Sequence, residues 1–172
     1  MTHIEIALGS ITEQDVEAIV NSANTSLIMG DGVAAAILAV AGSEVEEEAM
    51  AQAPIAVGDV VVTGAGDLPM RYIIHVGVGG DVPPDIYECT RNALDKAEEL
   101  EVASVAFPAL GTGHAGIRPR EAARGMCEAL LDFVEESPHL SEIRIVLWDD
   151  EHFDPFDRAL RRARRARRAD GW

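Results

Sequence analysis

The chain has 172 residues, 48% of them hydrophobic, which is enough for one ordinary core and too little for two domains of usual size. It contains no apolar run of the roughly 18 to 20 residues that a membrane span needs, and its first residues lack the pattern of a secretion signal, so we expect a cytoplasmic protein. Cys89 and Cys127 fit neither a disulfide scaffold nor a metal-binding spacing. The sequence therefore predicts buried free thiols, no metal site and no cofactor.

The net charge of −16 is unevenly distributed along the chain. The residues before Arg158 carry a net charge of −22, whereas seven of the 14 basic residues are arginines between positions 158 and 168. This acidity disfavours general binding of nucleic acid by the body of the domain and is typical of a halophilic protein in a high-salt cytoplasm. We expect a single domain over residues 1–172, in which residues 158–172 form an Arg-rich C-terminal helix or tail.

Short runs rich in Val and Ile alternate with longer segments of helical period. This alternation predicts an α/β fold in which helices cover both faces of a sheet. Strands are expected at about residues 3–9, 18–22, 58–64, 71–77, 103–108 and 142–148.

Helices are expected in the longer segments between these strands. The first should begin directly after Gly32 and carry one apolar face, formed by Val33, Ile37, Val40 and Ala41. Two more are expected at about residues 84–101 and 120–136, the second ending before Pro138, and the last should begin near Pro155. The helix over 84–101 should bury one face, formed by Ile86, Cys89, Thr90, Ala93, Leu94 and Ala97.

Residues 21–33 join a strand to a helix through polar residues and glycines. The strand ends in Asn21-Ser22-Ala23-Asn24, and Gly30-Asp31-Gly32 then leads directly into the helix. Glycines let the backbone approach a ligand closely, and the free N–H groups at the start of a helix favour an anion such as phosphate. Asn21 and Asn24 have the alternative of capping or turning the chain, and for Asn21 we favour that structural role.

Residues 106–116 contain three glycines, Gly111, Gly113 and Gly116, between an apolar strand and a helix. Both glycine-rich segments are thus expected at the carboxyl ends of strands, where open α/β sheets bind ligands, and a diphosphate would fit between them. Taken alone, Gly111-Thr112-Gly113 is more often a simple turn, because it matches neither a Walker loop nor a dinucleotide fingerprint.

Four segments, in this order and at fitting spacing, resemble the macrodomain family: residues 9–12 (GSIT), 18–24 (AIVNSAN), 30–37 (GDGVAAAI) and 107–113 (FPALGTG). The resemblance covers about residues 3–160. It implies a three-layer αβα sandwich with a central mixed sheet. It also implies a cleft at the edge of that sheet, which binds ADP-ribose or an ADP-ribosylated protein.

The resemblance places ligand-binding residues in three groups. The adenine end would be lined by Ser10 and Trp148, and Ile11, next to Ser10, would also contact the ligand. The distal ribose and one side of the diphosphate would contact Asn24 and the backbone of Gly30, Gly32 and Val33. The other side of the diphosphate would contact Gly111, Thr112 and Gly113, with His114 beside them.

The chain also departs from the family pattern. Members commonly have an aspartate at the position of Ser10, where it accepts a hydrogen bond from adenine, so selectivity for adenine is open. An aromatic residue often found near the distal ribose is replaced by Ala115. His114 either fills part of that space or is simply an exposed loop histidine. Trp148 either stacks on adenine or is a partly buried core residue.

The sequence leaves open whether the cleft only binds ADP-ribose or also hydrolyses ADP-ribosyl linkages or ADP-ribose 1''-phosphate. Ala34 replaces the catalytic aspartate of one hydrolase branch, and Lys96, the only lysine, lies on a helix away from both loops. What remains is substrate-assisted hydrolysis, with catalytic roles for Asn24 and Asp31. The alternative for Asp31 is a helix cap.

The Arg-rich segment supports a different hypothesis, a non-catalytic interaction module. In a helix these arginines would form a broad basic surface that binds RNA or an acidic partner. Association of the segment with the acidic body of its own domain is the simplest alternative. No membrane partner is expected.

Overall fold

The computed structural model describes residues 1–136 and 139–171, and in it one mixed sheet forms the centre of the fold. Its strands are β1 (His3–Leu8), β2 (Ala18–Asn24), β3 (Val60–Gly64), β4 (Tyr72–Gly79), β5 (Ser104–Phe107) and β6 (Glu142–Leu147). Their order in the sheet is β1-β6-β5-β2-β4-β3. Only the β3–β4 pair is antiparallel among the pairs of this sheet. The expected strands are confirmed.

Helices cover both faces of this sheet. They are α1 (Gly32–Ala41), α2 (Ser43–Met50), α3 (Ile86–Glu99), α4 (Pro119–Val134) and α5 (Asp150–Ala169), and a short 3₁₀ turn spans Ile11–Glu13. Successive residues of a strand point to opposite faces, so Ile73 of β4 packs in the same cluster as α1 and α2, whereas Ile74 packs in the cluster of α3, α4 and α5. The result is the expected three-layer αβα sandwich.

Helix α3 shows how the sequence pattern determines packing. Every residue expected on its apolar face is buried, from Ile86 to Ala97. The helix begins where the Asp85 side chain accepts a hydrogen bond from the backbone N–H of Glu88 at 3.1 Å, which satisfies one of the free N–H groups of the first turn. This face packs on β4 and α4, in the same core cluster as Leu110 of the second glycine-rich segment.

The expectations for α1 and α5 are partly wrong. Val40 of α1 is 48% exposed, and Ala34 is buried instead, because α1 is apolar on all sides and its composition does not mark the face that meets the sheet. Helix α5 begins at Asp150 rather than near Pro155, because the Asp149 side chain accepts a hydrogen bond from the His152 N–H at 2.9 Å and caps the helix one turn earlier.

Two further differences concern the neighbouring helices. Helix α2 was not expected from the sequence, and it follows α1 after the single residue Gly42, whose φ of +94° suits glycine. Helix α4 ends at Val134, and Pro138, the expected stop signal beyond it, lies outside the described residues.

Both cysteines are buried, unpaired thiols, as expected. Burial raises the pKa of the Cys127 thiol to about 12 and that of Cys89 to about 11, so both stay protonated at neutral pH. Among the described residues, no three His, Cys, Asp or Glu side chains come together as metal ligands. None of the described helices is long and apolar enough to cross a membrane.

The Arg-rich segment is the second half of α5, and it is helical up to Ala169, while Trp172 lies outside the described residues. Phe156 and Leu160 anchor the helix in the core. Arg167 pairs with Asp132 and Glu135 of α4. The segment is therefore packed against the body of the domain along one side.

Candidate functional site

Five strands of the sheet run parallel, so their carboxyl ends lie at one edge. Two segments follow the neighbouring strands β2 and β5 at this edge, and we call them the first loop (residues 25–31) and the second loop (residues 108–118). Ser10 follows β1 and Trp148 follows β6, which pair with each other at the same end. The structure thus places the expected site residues at a single edge of the sheet.

The first loop ends at α1 with its backbone open to solvent. A Cβ placed on Gly32 would meet no atom within 4 Å, and its φ of +57° lies in the region that favours glycine. In the described part of the chain, the backbone N–H groups of Gly32 and Val33 donate to no protein acceptor. These groups form the start of α1, where the helix dipole favours an anion.

Asn24 stands at the end of β2 with an exposed but oriented side chain. Its Nδ2 donates to the carbonyl of Ile28 at 3.1 Å, and its Oδ1 accepts a hydrogen bond from the Ser26 hydroxyl at 2.7 Å. A primary amide has two N–H groups and an oxygen with two lone pairs, so each side retains capacity for one more partner. The Asn24 amide is thereby held in one orientation with a free donor and a free acceptor site.

Asn21 is structural, but the expectation that it caps or turns the chain is wrong, because it lies inside β2 and its side chain contacts a strand that is distant in sequence. It is 1% exposed, and its Nδ2 lies 3.0 Å from Nδ1 of His75, whose Nε2 lies 2.9 Å from the Thr63 hydroxyl. Because that hydroxyl donates to the carbonyl of Gly64, it accepts from His75, which fixes the neutral tautomer protonated on Nε2. Burial lowers the pKa of His75 to about 4.

The glycines of the second loop have different physical roles. Gly111 is buried, its φ of +77° favours glycine, and a Cβ there would lie 2.9 Å from Cδ1 of Ile86, which would have to shift. Its N–H donates to the hydroxyl of Ser22 at 3.2 Å, which ties the loop to β2. Gly113 has no such constraint, because a Cβ there would meet no atom within 4 Å and its φ is not left-handed.

The tip of the second loop presents a run of backbone donors. Within residues 1–136 and 139–171, the N–H groups of residues 112–115 donate to no protein acceptor. The loop is closed behind this tip by the Ile117 N–H, which donates to the carbonyl of Gly111 at 3.0 Å. Consecutive donors of this kind are the arrangement that binds phosphate oxygens.

Trp148 follows β6, which pairs with β5, and 84% of its surface is exposed, so its alternative as a partly buried core residue is wrong. Leu8, opposite Leu147 in the sheet, is also exposed near this end of the strands, although the sequence pattern did not mark it. The Ser10 hydroxyl lies 2.9 Å from that of Thr12. The side chain of Ile11 is buried, so only its backbone can face a ligand.

Asp31 and His114 connect the two loops, a contact that the sequence analysis missed. Oδ2 of Asp31 pairs with Nε2 of His114, and both side chains are largely exposed. Asp31 occupies the N-cap position of α1, yet its side chain makes no capping hydrogen bond. The alternative of Asp31 as a side-chain cap is therefore wrong in this structure.

A depression of about 400 Å³ lies elsewhere, between α3 and α4. Its charged lining consists of one arginine, Arg91, and five carboxylates: Glu88, Asp95, Asp132, Glu135 and Glu136. Such a lining repels a diphosphate, so the edge between the two loops remains the better anion site.

Comparison with known proteins identifies the family. The model of the Macro domain matches residues 20–126. The uncharacterized protein PAE1111 of Pyrobaculum aerophilum is 40% identical over 162 residues, which cover 89% of each chain. A macrodomain of Oceanobacillus iheyensis solved with ADP is 28% identical, with a TM-score of 0.88, over 96% of this chain and 93% of that one.

A macrodomain of Trypanosoma brucei, solved in complex with ADP-ribose, is 27% identical with a TM-score of 0.85. That match covers 92% of this chain and 69% of the other. The family model spans more than half of the sequence, and the solved structures match the fold over most of this chain. The chain belongs to the Macro domain family.

Proposed function

We propose that this protein binds ADP-ribose, or an ADP-ribosyl group on another molecule, in the cleft between the first and second loops. The observation that carries the proposal is the pair of facing backbone donor sets, one at Gly32 and Val33 and one over residues 112–115. Backbone N–H groups that lack a protein acceptor and face open space suit the oxygens of a diphosphate. The solved macrodomains with ADP and ADP-ribose support this ligand class.

The two ends of the cleft suit the two ends of such a ligand. Asn24, held by Ile28 and Ser26, would bind the hydroxyls of the distal ribose. Trp148 would stack on the adenine, a contact that typically contributes about 1 to 3 kcal/mol. Ser10 is a weaker hydrogen-bond acceptor than a carboxylate, so the adenine would be held mainly by stacking.

We expect calorimetric titration to give micromolar affinity for ADP-ribose, weaker binding of ADP and the weakest of AMP, at both moderate and high salt. Asn24→Ala should lose most of the affinity for ADP-ribose, because the ribose hydroxyls lose their partner, and should change the affinity for AMP little. Asn92→Ala is the matched control, since this exposed amide donates to the carbonyl of Gly58 away from the cleft. Absence of heat with all three nucleotides would contradict the proposal.

Hydrolysis in the same cleft would rest on Asn24 and Asp31. Asn24 would fix the distal ribose, while Asp31 is the carboxylate of the first loop and would act as general base toward a water held near the anomeric carbon. In the ligand-free structure this carboxylate pairs with His114, so catalysis would require that contact to open. We therefore place recognition of ADP-ribose first and hydrolysis of ADP-ribosyl linkages or ADP-ribose 1''-phosphate second.

The exposed side of α5 supports a second candidate function. Among the described residues, no ion pair is formed by Arg158, Arg162, Arg165 or Arg168, which are exposed and follow each other at three- and four-residue spacings. We call these residues the arginine face, and it lies opposite Phe156 and Leu160, which are buried. Association with the acidic body accounts for Arg167 but leaves the arginine face free for the phosphates of RNA.

A variant with glutamine at all four positions of the arginine face should lose salt-sensitive binding to a single-stranded RNA probe. It is a better test than deletion of residues 158–172, which would also remove the buried Leu160 and the ion pairs of Arg167. The affinity for ADP-ribose should be unchanged, which separates the two functions. The alternative result is that neither wild type nor the variant shifts the RNA probe, while the variant loses the binding to an acidic polypeptide that wild type has. That result would assign the arginine face to an acidic protein partner instead.

A further inference from the structure

Asp31 and His114 meet across the mouth of the cleft, one from each loop. The contact joins Oδ2 of Asp31 to Nε2 of His114, with side-chain exposures of 60% and 82% respectively. Even when the histidine is protonated and the contact is ionic, a pair this exposed contributes little to stability, typically about 0.2 to 1 kcal/mol. The pair is therefore weak enough to open when a stronger partner arrives.

The orientation of Asp31 is not explained by the helix that it precedes. The residue has extended backbone angles at the N-cap of α1, from which aspartate usually accepts a hydrogen bond from the first turn. Its carboxylate makes no such bond and contacts the second loop instead. The N–H groups at the start of α1 are consequently left without this anion beside them.

We propose that His114 is a phosphate-binding residue and that Asp31 is its built-in competitor, which a diphosphate displaces. This inference rests on the proposed function, because it needs the diphosphate between the two loops. A carboxylate and a diphosphate repel each other, and the Nε2–H group of His114 can donate to only one of them at a time. Entry of the ligand thus exchanges the carboxylate of Asp31 for a phosphate oxygen on His114.

The exchange predicts opposite effects of substitutions at the two partners. Asp31→Asn removes the competing charge and keeps the size of the side chain, so it should tighten binding of ADP-ribose roughly 3- to 10-fold at low salt. His114→Gln removes the donor to phosphate and should weaken binding by a similar factor. Both effects should shrink at high salt, because both partners are exposed.

The experiment is a titration of wild type, Asp31→Asn and His114→Gln with ADP-ribose and with adenosine, which has no phosphate. Adenosine should bind all three proteins equally. Asp95→Asn is the matched control, since it removes the same charge from an exposed carboxylate that pairs with Arg91 on α3. Weaker binding of ADP-ribose by both variants would overturn the exchange and assign the pair a positioning role, and an unchanged affinity in Asp31→Asn would overturn it as well.

A second probe separates this inference from the proposed function. Pyrophosphate, titrated into wild type and followed by the NMR signals of the His114 imidazole, tests the exchange without a nucleoside. We expect these signals to shift in both proteins, and to do so at a lower pyrophosphate concentration in Asp31→Asn than in wild type. If pyrophosphate gives this shift while ADP-ribose does not bind, the ligand assignment fails and the exchange stands. If ADP-ribose binds and the His114 signals do not move, the exchange alone fails.

Discussion

Gly113→Val is expected to lower the affinity for ADP-ribose at least about 30-fold, a loss of about 2 kcal/mol, while leaving the free energy of unfolding nearly unchanged. Position 113 has no left-handed φ, and a Cβ there meets no atom within 4 Å, so the folded protein accommodates a side chain. The space that the valine would fill is the space proposed for the diphosphate. Calorimetric titration and urea unfolding of the same preparation measure the two quantities.

Two other glycines provide controls with opposite behaviour. Gly64 lies at the end of β3, which runs antiparallel to β4, so it is at the sheet edge away from the cleft, and Gly64→Val should bind ADP-ribose as wild type does. Gly111→Ala should lower the free energy of unfolding by about 1 to 3 kcal/mol, because of its left-handed φ and its contact with Ile86. Binding by Gly113→Val at wild-type strength would place the diphosphate elsewhere.

These contrasting roles of glycine show where sequence reasoning ends. Apart from α2, the order of elements was predictable because the apolar period of each segment is local, as in α3, whose buried face could be named residue by residue. The buried face of α1 could not be predicted, because a helix of nearly uniform apolar character packs by the shape of the sheet beneath it. Likewise, Gly111 and Gly113 look alike in sequence, and only their neighbours distinguish a packing glycine from an open one.

The candidate site divides in the same way. The two loops could be placed at one edge because each follows the carboxyl end of an expected strand, and open α/β sheets bind ligands at that edge. The contact between Asp31 and His114 depends on the conformation of both loops, and no local pattern encodes it. The exposure of Trp148 also required the structure, because a tryptophan at the end of a strand is equally compatible with the core.

The buried network of Asn21, His75 and Thr63 is a further long-range feature, and it makes stability depend on pH. Burial lowers the folded-state pKa of His75 to about 4, from an ordinary value of 6.5. The unfolded chain therefore takes up a proton as the pH falls through 6.5, whereas the folded chain resists protonation until about pH 4. The contribution of His75 to stability is thus fully present above pH 6.5 and is lost progressively as the pH falls toward 4.

His75→Gln should remove this dependence. Between pH 7.5 and 4.5, the free energy of unfolding of wild type should fall by about 2.5 kcal/mol more than that of the variant, since each pKa unit corresponds to about 1.4 kcal/mol. Urea unfolding at several pH values measures the difference, and the many carboxylates cancel because both proteins carry them. His3→Gln, at an exposed position of β1, should follow the wild-type curve. Parallel curves for wild type and His75→Gln would show instead that folding leaves the pKa of this imidazole unchanged, which would contradict the prediction.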